Sequence, residues 1–260
     1  MKTFCFTVDD NIRFLKEITE RQYGSLFEHP YLAVYKRLHD ELGLKVQLNL
    51  FYRTIEGDFN LSQVTDKYYN EWKQNADWLK LSFHSQWESM KPYEFSGYDE
   101  VYTDCKAVHE QIVRFASPDA LADTTTVHFC LATSDGLRAL ADNHVKGLLG
   151  LFGNDVMPRT SYELAEEHAS LLRAGKMVVK NDMVFAPIDV ILNVYSTERI
   201  LELLSQKLDR DAVWVMIHEQ FFYEDYPYYQ PEFEDKLRQT FSFLCKNGYH
   251  SCFFEEKITV

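Results

Sequence analysis

Positive charge is what this chain is short of: 27 lysines and arginines stand against 40 aspartates and glutamates, a formal balance of −13. A nucleic-acid backbone or an anionic membrane surface would be repelled by that field, and no local cluster of basic residues overrides it. Neutral or cationic small molecules are the expected partners. Several catalytic signatures are missing as well. There is no G-x-S-x-G elbow, no H-E-x-x-H helix and no Walker loop, and His218-Glu219 runs on into Gln-Phe-Phe without completing a zinc-protease motif. Where a dinucleotide fold needs G-x-G after its first strand, the chain has Asp9-Asp10-Asn11. No apolar run approaches membrane-spanning length, and MKTFCFTVDD reaches two acids before a signal-peptide core can form, so a cytoplasmic protein is expected. The five cysteines (Cys5, Cys105, Cys130, Cys245, Cys252) are odd in number, far apart and mostly within apolar runs. They read as reduced core residues, which excludes a disulfide framework or a cysteine-rich zinc site.

What is present is a globular composition, 46% hydrophobic and 26% charged, with aromatic residues at 15%. Such rings fill cores, and they also serve as stacking platforms in sugar-handling clefts. Strand-like runs rich in β-branched and aromatic residues occur at 3–8, 44–52, 78–84, 126–132, 147–152, 183–192, 213–218 and 250–254. Helical spacing occupies 11–22, 30–42, 63–76, 98–116, 135–144, 161–174, 197–208 and 232–247. Gly43, Gly175 and Gly248 follow helical patterns as carboxyl-terminal caps do. Strict β-α alternation over the whole length predicts an α/β protein, a single (β/α) barrel domain over 1–260, distorted and TIM-like with seven or eight strands. A doubly wound open sheet is the alternative.

In a parallel α/β fold the carboxyl ends of the strands share one face, so acids and imidazoles at separate strand ends can meet there. Long irregular segments at 53–62, 85–97 and 219–230 all follow strand ends and belong to that face. The first strand runs into Asp9-Asp10, adjacent carboxylates able to divide cation binding and proton transfer between them. Asp10 or Asn11 is equally suited to capping the next helix. The third strand ends in His84-Ser85-Gln86-Trp87-Glu88, and imidazole and carboxylate at i and i+4 reach one metal if the segment turns helically. His128 lies within TVHFCLAT, and His218 ends VWVMIH before an aromatic loop, placed as a general acid or base. Asp189 is an acid in the apolar run APIDVILN. It must pair with a buried cation or orient an imidazole, and His218 is the imidazole it would suit.

Phe-Thr-Val-Asp9-Asp10, Phe-His84-Ser85-x-x-Glu88 and Met216-x-His218 together resemble the motifs of the polysaccharide deacetylase-like proteins. Those are distorted β/α barrels acting on N- or O-acetylated sugars, with T-F-D-D-G after the first strand, H-[ST]-x-x-H after the third and a late L-x-H. The resemblance implies that Asp9 is the general base, Asp10 and His84 are metal ligands and His218 is the acid. Glu88 stands where a second ligand histidine belongs, Asn11 where the motif has glycine, and His128-Phe129-Cys130 where the family has an arginine-proline-tyrosine element. Asp189 would match the family's histidine-orienting aspartate.

The resulting expectation is a metal-dependent hydrolase that removes an acetyl or similar acyl group from a carbohydrate-like or acylated small-molecule substrate. Zinc is the expected ion, with cobalt, manganese or nickel as substitutes, held by Asp10, His84 and Glu88. Asp9 and His218 would move protons, Asp189 would orient His218, and His128, Trp87 and Tyr223 would line the sugar site. The alternatives are a catalytically altered or inactive carbohydrate-binding barrel, and a glycosidase pairing Asp9 or Asp10 with Glu88 or Glu219.

Overall fold

The computed structural model describes residues 1–88, 93–153 and 160–258; part of the expected loop 85–97 therefore lies outside the described residues. The chain begins with β1 (Lys2–Asn11), α1 (Arg13–Arg21), α2 (Pro30–Leu42), β2 (Val46–Phe51), α3 (Tyr69–Gln74) and β3 (Leu79–Ser85). It continues through α4 (Tyr98–Phe115), β4 (Thr124–Thr125), α5 (Ser134–Asp142), β5 (Gly147–Gly150), α6 (Glu166–Arg173) and β6 (Val178–Lys180). The last third holds β7 (Met183–Pro187), β8 (Val190–Ile191), α7 (Thr197–Ser205), β9 (Ala212–His218), α8 (Phe233–Lys246) and β10 (Tyr249–Ser251). The predicted alternation is realised except at β6, β7 and β8, which follow one another without a helix between them. The longer helices form where apolar residues recur at helical spacing: α4 buries Val101, Cys105, Val108, Ile112 and Phe115 along one stripe. Gly43 ends α2 at φ 67°, a left-handed turn that costs glycine nothing, and its N–H closes the helix on the His39 carbonyl.

Two mostly parallel sheets result. One has the order β3-β2-β1-β9-β8, with β10 beside the first residues of β1; the other has the order β4-β5-β7-β6. β1 and β9 are buried along almost their whole length, as strands covered on both faces must be, and Phe4 and Phe6 pack on Phe241 of α8 at 5.2 and 4.7 Å. The sheets meet where the Ala122 amide donates to the Leu81 carbonyl, and again where the chain leaves β7 to enter β8. Among the described residues the ladder does not close into a continuous barrel. The expected strand 126–132 does not form, since β4 ends at Thr125 and the chain then turns at His128–Cys130, and the expected strand 183–192 breaks in two after Pro187, which has no N–H to give a neighbour. β6, antiparallel to β7, was not anticipated. Among the described residues no disulfide joins the five cysteines, four of which are buried. Among the described residues no helix is long and apolar enough to cross a membrane.

Candidate metal centre

A regular strand would turn Asp9 and Asp10 to opposite faces. Here the register of β1 against β2 slips between Val8 and Asn11, and Asp10 takes φ 65°. The bulge re-aims Asp10 so that both acids line one cavity. Asn11 secures it: its side-chain amide donates to the Val8 and Asn49 carbonyls (2.6 and 3.1 Å) and accepts from the Tyr31 hydroxyl (2.7 Å). Neither Asp10 nor Asn11 caps α1, whose N-cap is Ile12. That task falls to Glu219, whose buried carboxylate accepts from the amides of Ile12, Arg13 and Phe14 and from the Tyr223 hydroxyl.

His84, at the end of β3, donates from Nδ1 to the Thr126 carbonyl at 2.5 Å, which fixes the tautomer and leaves Nε2 with a free lone pair. That nitrogen lies 3.0 Å from Asp10 Oδ1 and 3.1 Å from His128 Nδ1, and Asp10 Oδ1 and His128 Nδ1 are 3.3 Å from each other. Asp10, His84 and His128 are the one group of three such side chains among the described residues whose donor atoms converge in this way. Tetrahedral zinc with bonds of about 2.0–2.1 Å spaces its ligands by about 3.3 Å, so two imidazoles and a carboxylate at these separations fit the ion. His128 is brought in by a turn in which Phe129 and Cys130 take positive φ (59° and 57°), a conformation bulky side chains hold only when their surroundings impose it. Phe51 packs against both rings, at 5.2 Å from His84 and 5.0 Å from His128.

Burial alone would raise the Asp10 carboxyl, but the imidazoles of His128 and His84 beside it outweigh that and hold the group well below its ordinary range. The Gln220 amide donates to its second oxygen at 2.8 Å. Burial pushes Asp9 well above the usual range, against a 2.7 Å hydrogen bond from Asn49. Burial lowers both His84 and His218. His218 Nδ1 donates to the side-chain oxygen of Asn193 at 2.9 Å, so its Nε2 lone pair is free. Asp9, Asp10, His84, His128 and His218 line a single cavity of about 450 Å³.

Five expectations are corrected by this geometry. Glu88 sits at the cavity's rim and is not one of the converging donors, because 86–88 bend instead of winding into the helical turn that would bring i and i+4 together. His128 takes that place and is a candidate metal ligand, not a groove residue. Asp189 does not orient His218: its carboxylate binds Arg210 at 2.5 Å, Lys207 at 3.3 Å and the Trp214 amide at 3.0 Å, the buried-cation solution to an acid in an apolar strand. Asn193 performs the orientation instead. Tyr223 is buried with the Arg13 guanidinium 3.8 Å over its ring, leaving no stacking face for a sugar, while Tyr226 and Phe129 line the cavity. Trp87 carries the Arg53 guanidinium at 4.1 Å and is not part of the cavity wall.

Almost the whole chain superposes on solved carbohydrate enzymes. It matches a family 4 acetyl xylan esterase from Clostridium thermocellum, solved in complex with a cobalt ion, at a TM-score of 0.54 and 12% identity over 98% of this chain and 89% of that one. A protein from Mycobacterium smegmatis assigned as a polysaccharide deacetylase matches at 0.57 and 11%, with the same coverage. This chain has the fold of the polysaccharide deacetylases. The deacetylase fold is reached here by a divergent sequence, since no protein-family model and no curated protein matches it. A 4-alpha-glucanotransferase from Thermococcus litoralis also superposes, at 0.63 and 12% identity over 99% of this chain, which spans 40% of that enzyme.

The buried Glu219 yields a pH prediction. Burial raises its carboxyl from 4.5 to about 7 in spite of its four donors. The folded state then binds the proton more tightly than the unfolded one, so this group's contribution to stability is full below pH 4.5 and declines as pH rises towards 7. Thermal melts should show the advantage of wild type over Glu219→Gln shrinking across that window. An advantage that grows with pH would contradict it.

Proposed function

We propose that the protein is a metal-dependent hydrolase that removes an acyl group from an amide or ester of a carbohydrate-like substrate. The observation that carries the reading is the convergence of Asp10, His84 and His128 in the cavity that Asp9 and His218 also line. Zinc, or cobalt, manganese or nickel in its stead, would be held by those three side chains. When bound it supplies Lewis acidity, polarising an acyl oxygen and acidifying water. Asp9, raised by burial, is suited to take the proton of the attacking water nearer neutral pH than an ordinary aspartate. The water oxygen bonds to the acyl carbon, the carbon–nitrogen or carbon–oxygen bond breaks, and His218 returns a proton to the departing amine or alcohol. Asn193 holds that imidazole without lending it charge, so protonated His218 is scarce at neutral pH and limits the rate on the alkaline side.

Asn193→Asp should therefore move the alkaline limb of the kcat/KM profile upwards by about one pH unit or more, an opposite charge favouring the imidazolium. An unmoved limb would remove His218 from the acid role. The function itself is tested by assaying acetate release from acetylated chito-oligosaccharides with zinc-, cobalt-, manganese- and nickel-loaded protein. Release that is unaffected by chelation would overturn it. The glucanotransferase likeness favours a second reading, glycosyl transfer with Asp9 and Glu88 as the carboxylate pair. Transfer between glucans that survives chelation would establish it.

A further inference from the structure

The same cavity is two-sided. Its polar floor carries the candidate ligands and proton carriers, whereas its walls are Ile55, Phe129, Leu151, Ile191, Met216 and Phe221. Ile55 and Phe129 are left 52% and 38% exposed, a cost that an apolar ligand would relieve by covering them. At about 450 Å³ the space greatly exceeds what the methyl of an acetyl group fills. Leu151 and Ile191 also line a neighbouring cavity of about 450 Å³, whose wall includes Phe152, Leu172, Pro187 and Ile188, so these two side chains form the partition between them. Resting on the hydrolase reading for where the acyl carbon sits, we infer that the apolar wall is an acyl-chain site. The group removed is an aliphatic acyl chain longer than acetyl, and Leu151 and Ile191 set its maximum length.

Binding separates this inference from the chemistry. The zinc-loaded Asp9→Asn protein is titrated calorimetrically with N-acyl glucosamines from acetyl to dodecanoyl. Each added methylene should tighten Kd by about fourfold until the chain meets the partition, the value expected for burying one CH₂. Leu151→Ala, with Ile191→Ala as a second variant should the first fail to fold, should carry the tightening on to longer chains. A Kd that stays flat or weakens beyond acetyl overturns the acyl-chain site. The same limiting length in every folded variant overturns the partition. Wild-type turnover on acetyl and octanoyl substrates is measured in parallel. Hydrolysis of neither defeats the hydrolase reading alone, since the calorimetric series still decides the site.

Discussion

His128→Ala is expected to lower zinc affinity by more than the 10–100-fold typical of losing a residue that only supports a metal ligand, because it removes a ligand outright. Glu88→Gln, four residues after His84 but at the rim, should change affinity by no more than a few fold. The contrast follows from distances: His128 Nδ1 stands 3.1 Å from His84 Nε2 and 3.3 Å from Asp10 Oδ1. Competition with a chromogenic chelator gives the two affinities directly. Thermal melting gives them again, since free zinc at about a thousand times Kd stabilises a native state by about 4 kcal/mol. Wild type and Glu88→Gln should show that rise and His128→Ala should lack it. If Glu88→Gln loses the metal while His128→Ala keeps it, the ligand set is wrong.

Asp9→Asn should reduce kcat about 10²–10⁴-fold, the range that a positioned general base contributes, while leaving zinc affinity near that of wild type. Asp9 is separate from the converging donors even though it shares their cavity, and its hydrogen bond comes from Asn49 at 2.7 Å. Loss of the buried carboxylate should also stabilise the fold above the ordinary aspartate range. Its folded-state value is raised, so ionising it costs stability as pH rises, and asparagine is spared that cost. A variant that is slower yet no less stable at neutral pH is therefore expected. Unchanged turnover would exclude Asp9 as the base.

Most of the architecture was legible because burial on both faces writes near-continuous apolar runs, as in the β9 stretch AVWVMIH, and because helices between them repeat at their own spacing. The β6–β7 hairpin escaped attention, although its signal was present: Asn181-Asp182 take φ 51° and 61°, the positive pair that a two-residue turn between antiparallel strands demands. Asp9, Asp10, His84 and His218 stood out at strand ends. The role of His128 did not, since Phe129 and Cys130 give no local sign of left-handed backbone and the segment reads as continuing strand. Asn49 could have been found. It alternates with Gln47 inside VQLNLF, and an amide buried in such a strand requires a partner, which proves to be the carboxylate of Asp9. Asn193 and Gln220 lie in short turns after β8 and β9, where no periodicity marks one amide as different from another.

β1 is completed only by partners that lie far along the chain. β1 draws its ladder partners from Gln47–Leu50, Ala212–His218 and Tyr249–Ser251, so its amides and carbonyls lack a full set of neighbours until segments about 200 to 250 residues further on have come together with it. Pairings that span such distances are slow to form and leave strand edges open to wrong associations in the interval. Recovery after dilution from denaturant should accordingly be slow and should fall as protein concentration rises, and a truncation that stops short of β9 should not hold Asp9 and Asp10 in place.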